Sequence, residues 1–320
     1  MLVYIILISI AALAVISFTV LSIIAIRSLR KIVRRPKKPA PEVFEQAYRL
    51  NYISEETQKI LRAAFDRFES YTTTETSIIS HDGLKLIGHI IEPDTSTPKG
   101  TVIFMHGYRS SCRQNLCMPI SFLLDEGYRV LYIYQRAHGK SEGKYITFGV
   151  LESLDAKAWC EHVRNLFGES SPIALFGASM GGTSVMCSTE KGLPENVRAI
   201  ICDGGYTSPW EVRLYKFRKT HSISPYPFMN VLNLYARLIA KFSLKGVFSP
   251  RAVASSNLPF LLIYGTADKA VPYEMGVTIS EASERTKLIS VEGAHHLCCC
   301  MQEPTRYKNE VISFLEKNMK

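Results

Sequence analysis

The chain has 320 residues, 47% of them apolar and 21% charged, with a formal net charge of +9. That balance excludes a disordered or collagen-like chain, and the length suits one large domain with a sizeable core. Seven of the 38 basic residues crowd into positions 27–38 (Arg27, Arg30, Lys31, Arg34, Arg35, Lys37 and Lys38) with no acid among them, leaving 31 basic against 29 acidic residues elsewhere. The near-neutral body lacks the basic footprint of a nucleic-acid-binding protein.

Residues 1–26 contain no charged side chain. As a helix this run would span about 39 Å, enough to cross a hydrocarbon core of roughly 30 Å. A secretory signal fits less well: no basic residue precedes the run, the run is long, and no small-residue cleavage site follows. A soluble core helix would show a polar face. The expectation is a single-pass transmembrane anchor over 1–26. All the flanking positive charge follows the span, which by the positive-inside rule puts the rest of the chain in the cytoplasm. The same charges suit anionic head groups. Pro36, Pro39 and Pro41 mark 27–41 as a basic linker.

Residues 42–70 then read as helical, with Phe44, Tyr48, Ile60, Leu61, Ala64, Phe65 and Phe68 at apolar positions and Ser54 as an N-cap before Glu55 and Glu56. Strands are expected at 75–80 and 84–92 around the turn His81-Asp82-Gly83. Apolar runs follow at 101–105, 129–134, 172–176, 197–202, 259–264 and 286–291, mostly separated by helix-length segments. This alternation predicts an α/β fold with a mostly parallel sheet. One connection, from Cys202 to Pro259, is too long for a simple crossover. Its segment 226–244 is apolar and aromatic at helical spacing, which suggests a lid over a site. The eight cysteines include several in apolar runs, so they read as reduced packing residues of a cytosol-facing domain; Cys298-Cys299-Cys300 has no metal-ligand spacing.

The strongest local motif is Gly177-Ala178-Ser179-Met180-Gly181, directly after the apolar run ending at Phe176 and before a helix-compatible stretch. A G-x-S-x-G turn in that setting exposes a serine hydroxyl above the sheet. A hydroxyl needs a base, and the base an orienting acid. Asp268 lies just beyond the strand at 259–264, and His295 and His296 just beyond that at 286–291. Each would emerge at the carboxyl end of a parallel strand, where open α/β sheets bind their ligands. Asp203, after the strand at 197–202, is a rival acid. The expected oxyanion donors are the backbone N–H groups of Met180 and of Tyr108, in the loop His106-Gly107-Tyr108. The His106 imidazole reads as structural.

Four blocks then carry a family likeness: HGYRSS at 106–111, QRAHGKSEG at 135–143, GASMGG at 177–182, and GTADKAVP at 265–272 with GAHH at 293–296. Over about 75–320 the chain resembles a serine hydrolase of the α/β-hydrolase superfamily. It is loosely similar to membrane-tethered bacterial esterases and lysophospholipases. The resemblance implies an α/β-hydrolase domain at 42–320, with an eight-stranded, mostly parallel sheet and a small helical lid at about 206–250. It implies Ser179 as nucleophile, Asp268 as acid and His296 as base, with His295 as the fallback. Where relatives often carry Asp, this chain has Gln135, a position outside the catalytic set. The implied activity is hydrolysis of a carboxylic ester through an acyl-enzyme, on a small-molecule ester with an apolar, lipid-like or medium-chain acyl group, without metal or organic cofactor. A peptidase or amidase, a thioesterase or acyltransferase, and an inactive membrane-tethered interaction protein remain as alternatives.

Overall fold

The computed structural model describes residues 1–36 and 54–320. Phe44, Tyr48, Pro39 and Pro41 therefore lie outside the described residues. The rest of the expected first helix is α2 (Glu55–Ser70), where the Ser54 hydroxyl accepts from the Thr57 N–H at 3.1 Å and caps the helix.

Eight strands form one sheet: β1 (Thr74–Ile79), β2 (Lys85–Ile91), β3 (Thr101–Met105), β4 (Arg129–Ile133), β5 (Ile173–Ala178), β6 (Val197–Asp203), β7 (Phe260–Gly265) and β8 (Thr286–Val291). Their spatial order is β1-β2-β4-β3-β5-β6-β7-β8, and every pairing from β4 to β8 is parallel. The β1–β2 and β2–β4 pairs are antiparallel. The central strands are buried on both faces, which is why they appear in the sequence as unbroken apolar runs. Alternate residues face opposite layers. Val102 and Phe104 of β3 pack towards α3 (Cys112–Asp125) and a C-terminal helix, while Ile103 and Met105 face the layer holding α4 (Glu152–Phe167) and α5 (Met180–Ser188).

Between β6 and β7 the chain forms α6 (Pro209–Thr220), α7 (Phe228–Ile239) and α8 (Ser249–Ala254). These helices fill the connection expected to carry a lid, and Val212, Met229 and Leu232 from them join the core cluster that contains Met180. The remaining helices are α9 (Tyr273–Ser280), α10 (Cys299–Gln302) and α11 (Pro304–Asn318).

The N-terminal helix differs from the expected division at residue 26. Helix α1 runs from Leu2 to Val33, so the first part of the basic stretch is helical. Ser22, Ala25, Leu29 and Val33, spaced three and four apart, are buried, and this face packs on α7. The charged residues between them point outward. The Ile146 N–H donates to the Val33 carbonyl at 2.7 Å, and the Tyr108 hydroxyl to the Ile32 carbonyl at 2.6 Å. The Arg109 guanidinium reaches the Lys31 and Arg34 carbonyls. The end of α1 is thus built into the body, beside the loop after β3. The exposed part, Leu2–Val20, would span roughly 28 Å as a helix. By length and composition α1 is a candidate membrane span or signal segment.

Candidate active site

Ser179 sits between β5 and α5, at φ 52° and ψ −113°, a left-handed conformation that costs a non-glycine residue energy. Its flanking glycines allow the turn. A Cβ on Gly181 would lie 2.0 Å from the Met105 carbonyl oxygen, and one on Gly177 would lie 2.2 Å from the Gly181 oxygen. The turn is pinned by the Ser179 N–H, which donates to the Asp203 carbonyl at 2.7 Å.

The β7 and β8 ends supply the partners. Asp268 follows β7, and its side chain is almost fully buried. Its Oδ1 accepts from the N–H groups of Ala270 at 2.7 Å and Val271 at 2.9 Å. The other oxygen, Oδ2, lies 2.6 Å from His296 Nδ1, and His296 Nε2 lies 2.9 Å from Ser179 Oγ. With its proton on Nδ1, the imidazole donates to the carboxylate and leaves the Nε2 lone pair facing the hydroxyl. Residues 117 apart in the chain are thereby brought into one hydrogen-bonded line. His296 makes both contacts, and His295 lies partly buried beside it.

The loop after β3 closes the site from the other side. A Cβ at Gly107 would fall 3.5 Å from Ser179 Cβ, so the His106-Gly107-Tyr108 turn lies against the hydroxyl. The Tyr108 and Met180 N–H groups have no acceptor among the described residues. A developing oxyanion is stabilised by unpaired N–H donors of this kind. His106 is buried; its Nδ1 bonds the Gly107 carbonyl at 2.8 Å and its Nε2 accepts from the Gln135 N–H at 3.2 Å. Burial, with His138 nearby, pushes its pKa down to about 3, so it stays neutral and braces the loop. A surface cleft of about 590 Å³ beside Lys99, Tyr128 and Met319 contains none of these residues, whereas Ser179 itself is 9% exposed.

Asp203 is not bonded to His296. Its Oδ2 accepts from the Tyr307 hydroxyl at 2.8 Å and its Oδ1 has no partner. Burial pushes its pKa up to about 6. Here the folded state holds the proton to higher pH than the unfolded chain, so stability is full below the ordinary carboxylate range and declines as pH rises from about 4 to about 6. Asp203→Asn removes that cost. Its melting temperature relative to wild type is expected to rise between pH 5 and pH 7.5; an unchanged difference would contradict the assignment.

The segment of the chain at residues 96–222 matches the family model described as serine aminopeptidase, S33. An uncharacterized Bacillus subtilis protein, YqkD, is 24% identical over 254 residues, covering 79% of this chain and 82% of that one. The esterase Pf2001 of Pyrococcus furiosus superposes with a TM-score of 0.63 at 25% identity, covering 88% of this chain and all of that one. Est1E of Butyrivibrio proteoclasticus, solved with ferulic acid bound, gives 0.59 at 20% identity, covering 75% and 99%. The chain has the α/β-hydrolase fold, and these likenesses support a hydrolase.

One residue of this hydrolase escaped sequence reading. Gly204 has φ +63°, and a Cβ there would stand 3.2 Å from His296 Cε1 and 3.3 Å from Nδ1. It is the floor of the imidazole site. Its only sequence signal was a Gly-Gly pair after the strand end at Asp203. Gly204→Ala is expected to push the ring by a few tenths of an ångström and to lower kcat/KM about tenfold. Steady-state rates beside a thermal melt would check this; full activity would show that the ring is not held there.

Proposed function

We propose that this hydrolase cleaves carboxylic esters through an acyl-enzyme on Ser179. The observation that carries the reading is the Ser179–His296–Asp268 line beside two free amides. In this mechanism His296 Nε2 takes the Ser179 proton as Oγ attacks the ester carbonyl. Asp268 holds the imidazole in the right tautomer and stabilises its cationic form. The Tyr108 and Met180 N–H groups bind the oxyanion. His296 then protonates the leaving alcohol, and a water repeats the sequence on the acyl-enzyme. The likeness to an esterase supports an ester substrate.

The lid favours an apolar acyl group. Leu214, Phe228 and Leu232 from α6 and α7 pack in the same cluster as Tyr108 and Met180. Leu234 and Leu238 on α7 are exposed alongside α1, which supports a membrane-anchored enzyme taking lipid-like or medium-chain esters. The charge that follows the span supports a cytoplasmic catalytic domain. A peptidase is the second reading, favoured by the aminopeptidase family model over 96–222, a stretch that stops before Asp268 and His296.

A series of 4-nitrophenyl esters from two to sixteen carbons, run beside matched 4-nitroanilides, separates these. Ester kcat/KM at least 100-fold above the anilide, rising with chain length beyond acetate, is expected. Faster anilide cleavage would sink the ester reading.

A further inference from the structure

Helix α6 lies across the site. Near its start, the Arg213 guanidinium carbon stands 5.7 Å from the Tyr108 ring centroid and 4.4 Å from that of Phe148. Near its end, the Lys219 ammonium donates to the Lys269 carbonyl at 3.1 Å, next to Asp268. Residues three apart on a helix share a face, so Arg213, Lys216 and Lys219 form one basic row that runs from the oxyanion loop to the acid. Lys216 is within electrostatic reach of both Arg213 and Asp268, and Arg213 within reach of Arg109.

Among the described residues no carboxylate pairs with Arg213, Lys216, Lys219 or Arg109, whereas sixteen ion pairs form elsewhere or at His296. The Nε atoms of Arg213 and Arg109 are both buried without a hydrogen-bond partner. Asp268, the nearby acid, already accepts from His296 and two amides. A guanidinium drawn out of water calls for an anion or for full hydrogen bonding. The two ring faces and the side-chain hydrogen bond to Tyr108 offer only part of that, because a ring face satisfies no N–H and Nε keeps no partner. The orphaned Nε, the missing carboxylate and the place beside Tyr108 all point to a partner that arrives with the substrate.

We propose that the substrate carries an anionic group, a carboxylate or a phosphate, which Arg213 binds beside the scissile ester with Lys216 as a second cation. This proposal rests on the reading of Ser179 as the nucleophile and adds to it the charge of the substrate. The acyl chain takes the apolar lid surface, and the anion takes the basic row of α6.

Two matched pairs test it with full-length protein in detergent. One is 4-nitrophenyl butyrate against mono-4-nitrophenyl succinate, which places a carboxylate on the acyl side. The other is 1-butyrylglycerol against its 3-phosphate, which places a phosphate on the leaving side. Wild type is expected to favour the anionic member of at least one pair about tenfold or more in kcat/KM. Arg213→Met should remove that preference with a loss of about 10- to 100-fold, carried by KM, as suits one charged hydrogen-bonded contact. The neutral member should lose at least tenfold less than the anionic one, and Arg213→Lys should recover part. A thermal shift with glycerol 3-phosphate and with succinate, which needs no turnover, reads the same site; a shift in wild type that vanishes in Arg213→Met would hold even if Ser179 proved unreactive. Equal losses on both members of each pair, or a wild-type preference for the neutral members with no Arg213-dependent shift, would overturn the proposal and leave Arg213 as a packing residue over Tyr108 and Phe148.

Discussion

His296→Ala is expected to lower kcat/KM by about 10⁶-fold, and Asp268→Asn by about 10⁴-fold, with little change in melting temperature. The asymmetry follows from the geometry. In the proposed mechanism His296 moves the proton, as its Nε2 lies 2.9 Å from Ser179 Oγ. Asp268 acts through the imidazole, and an asparagine there would present an N–H where a carboxylate accepts, favouring the wrong tautomer. Because the groups act as a unit, His296→Ala/Asp268→Asn together should be little worse than His296→Ala alone. Steady-state kinetics on one accepted ester would check all three variants. A histidine variant that retains a tenth of wild-type activity would show that another base serves, with His295 the first to substitute next.

Arg136→Met carries the largest expected stability loss. The Arg136 side chain is 2% exposed and holds two acids at once. Its Nε and one terminal nitrogen donate to Asp155 at 2.7 Å each, and its terminal nitrogens reach Asp82 at 2.9 and 3.2 Å. The cluster ties the hairpin turn between β1 and β2 to α4. Removing the cation leaves Asp155 buried without a counter-charge, a change that costs about 3–5 kcal/mol. In a chain of this size that is a fall of roughly 6–15 °C in melting temperature. Arg136→Met/Asp155→Leu, which removes the stranded charge, should recover part of it. Thermal unfolding decides: a fall under 2 °C for Arg136→Met would mean that the cluster contributes nothing net.

Much of the sheet was legible because burial on both faces leaves little room for polar residues, so β3, β5 and β7 stood out as apolar runs. The positions of Ser179 and Asp268 were legible for a related reason. Each follows such a run directly, and a parallel sheet delivers its strand ends to one edge. The choice between His295 and His296 was not open to spacing, because two adjacent residues differ only in the direction the loop gives them. The family resemblance pointed to His296, and the described contacts are those of His296. Gly204 was illegible because its role depends on where a ring from 92 residues later comes to rest. The end of α1 was misread for a different reason. Arg27, Arg30, Lys31 and Arg34 suggested a linker, yet Ala25 just before them and Leu29 and Val33 among them recur at helical spacing and form the docked face. Charge density hid the stripe. The link from that helix end to Tyr108 and Arg109 is tertiary, and no local pattern announces it.

The most direct test of the central claim is covalent labelling of detergent-solubilised full-length protein with a fluorophosphonate probe, with peptide mapping by mass spectrometry. An activated serine at 179 predicts one adduct on the peptide containing Gly177–Gly181, lost in Ser179→Ala and strongly slowed in His296→Ala. Folded wild-type protein that stays unlabelled, or an adduct that persists in Ser179→Ala, would contradict the account.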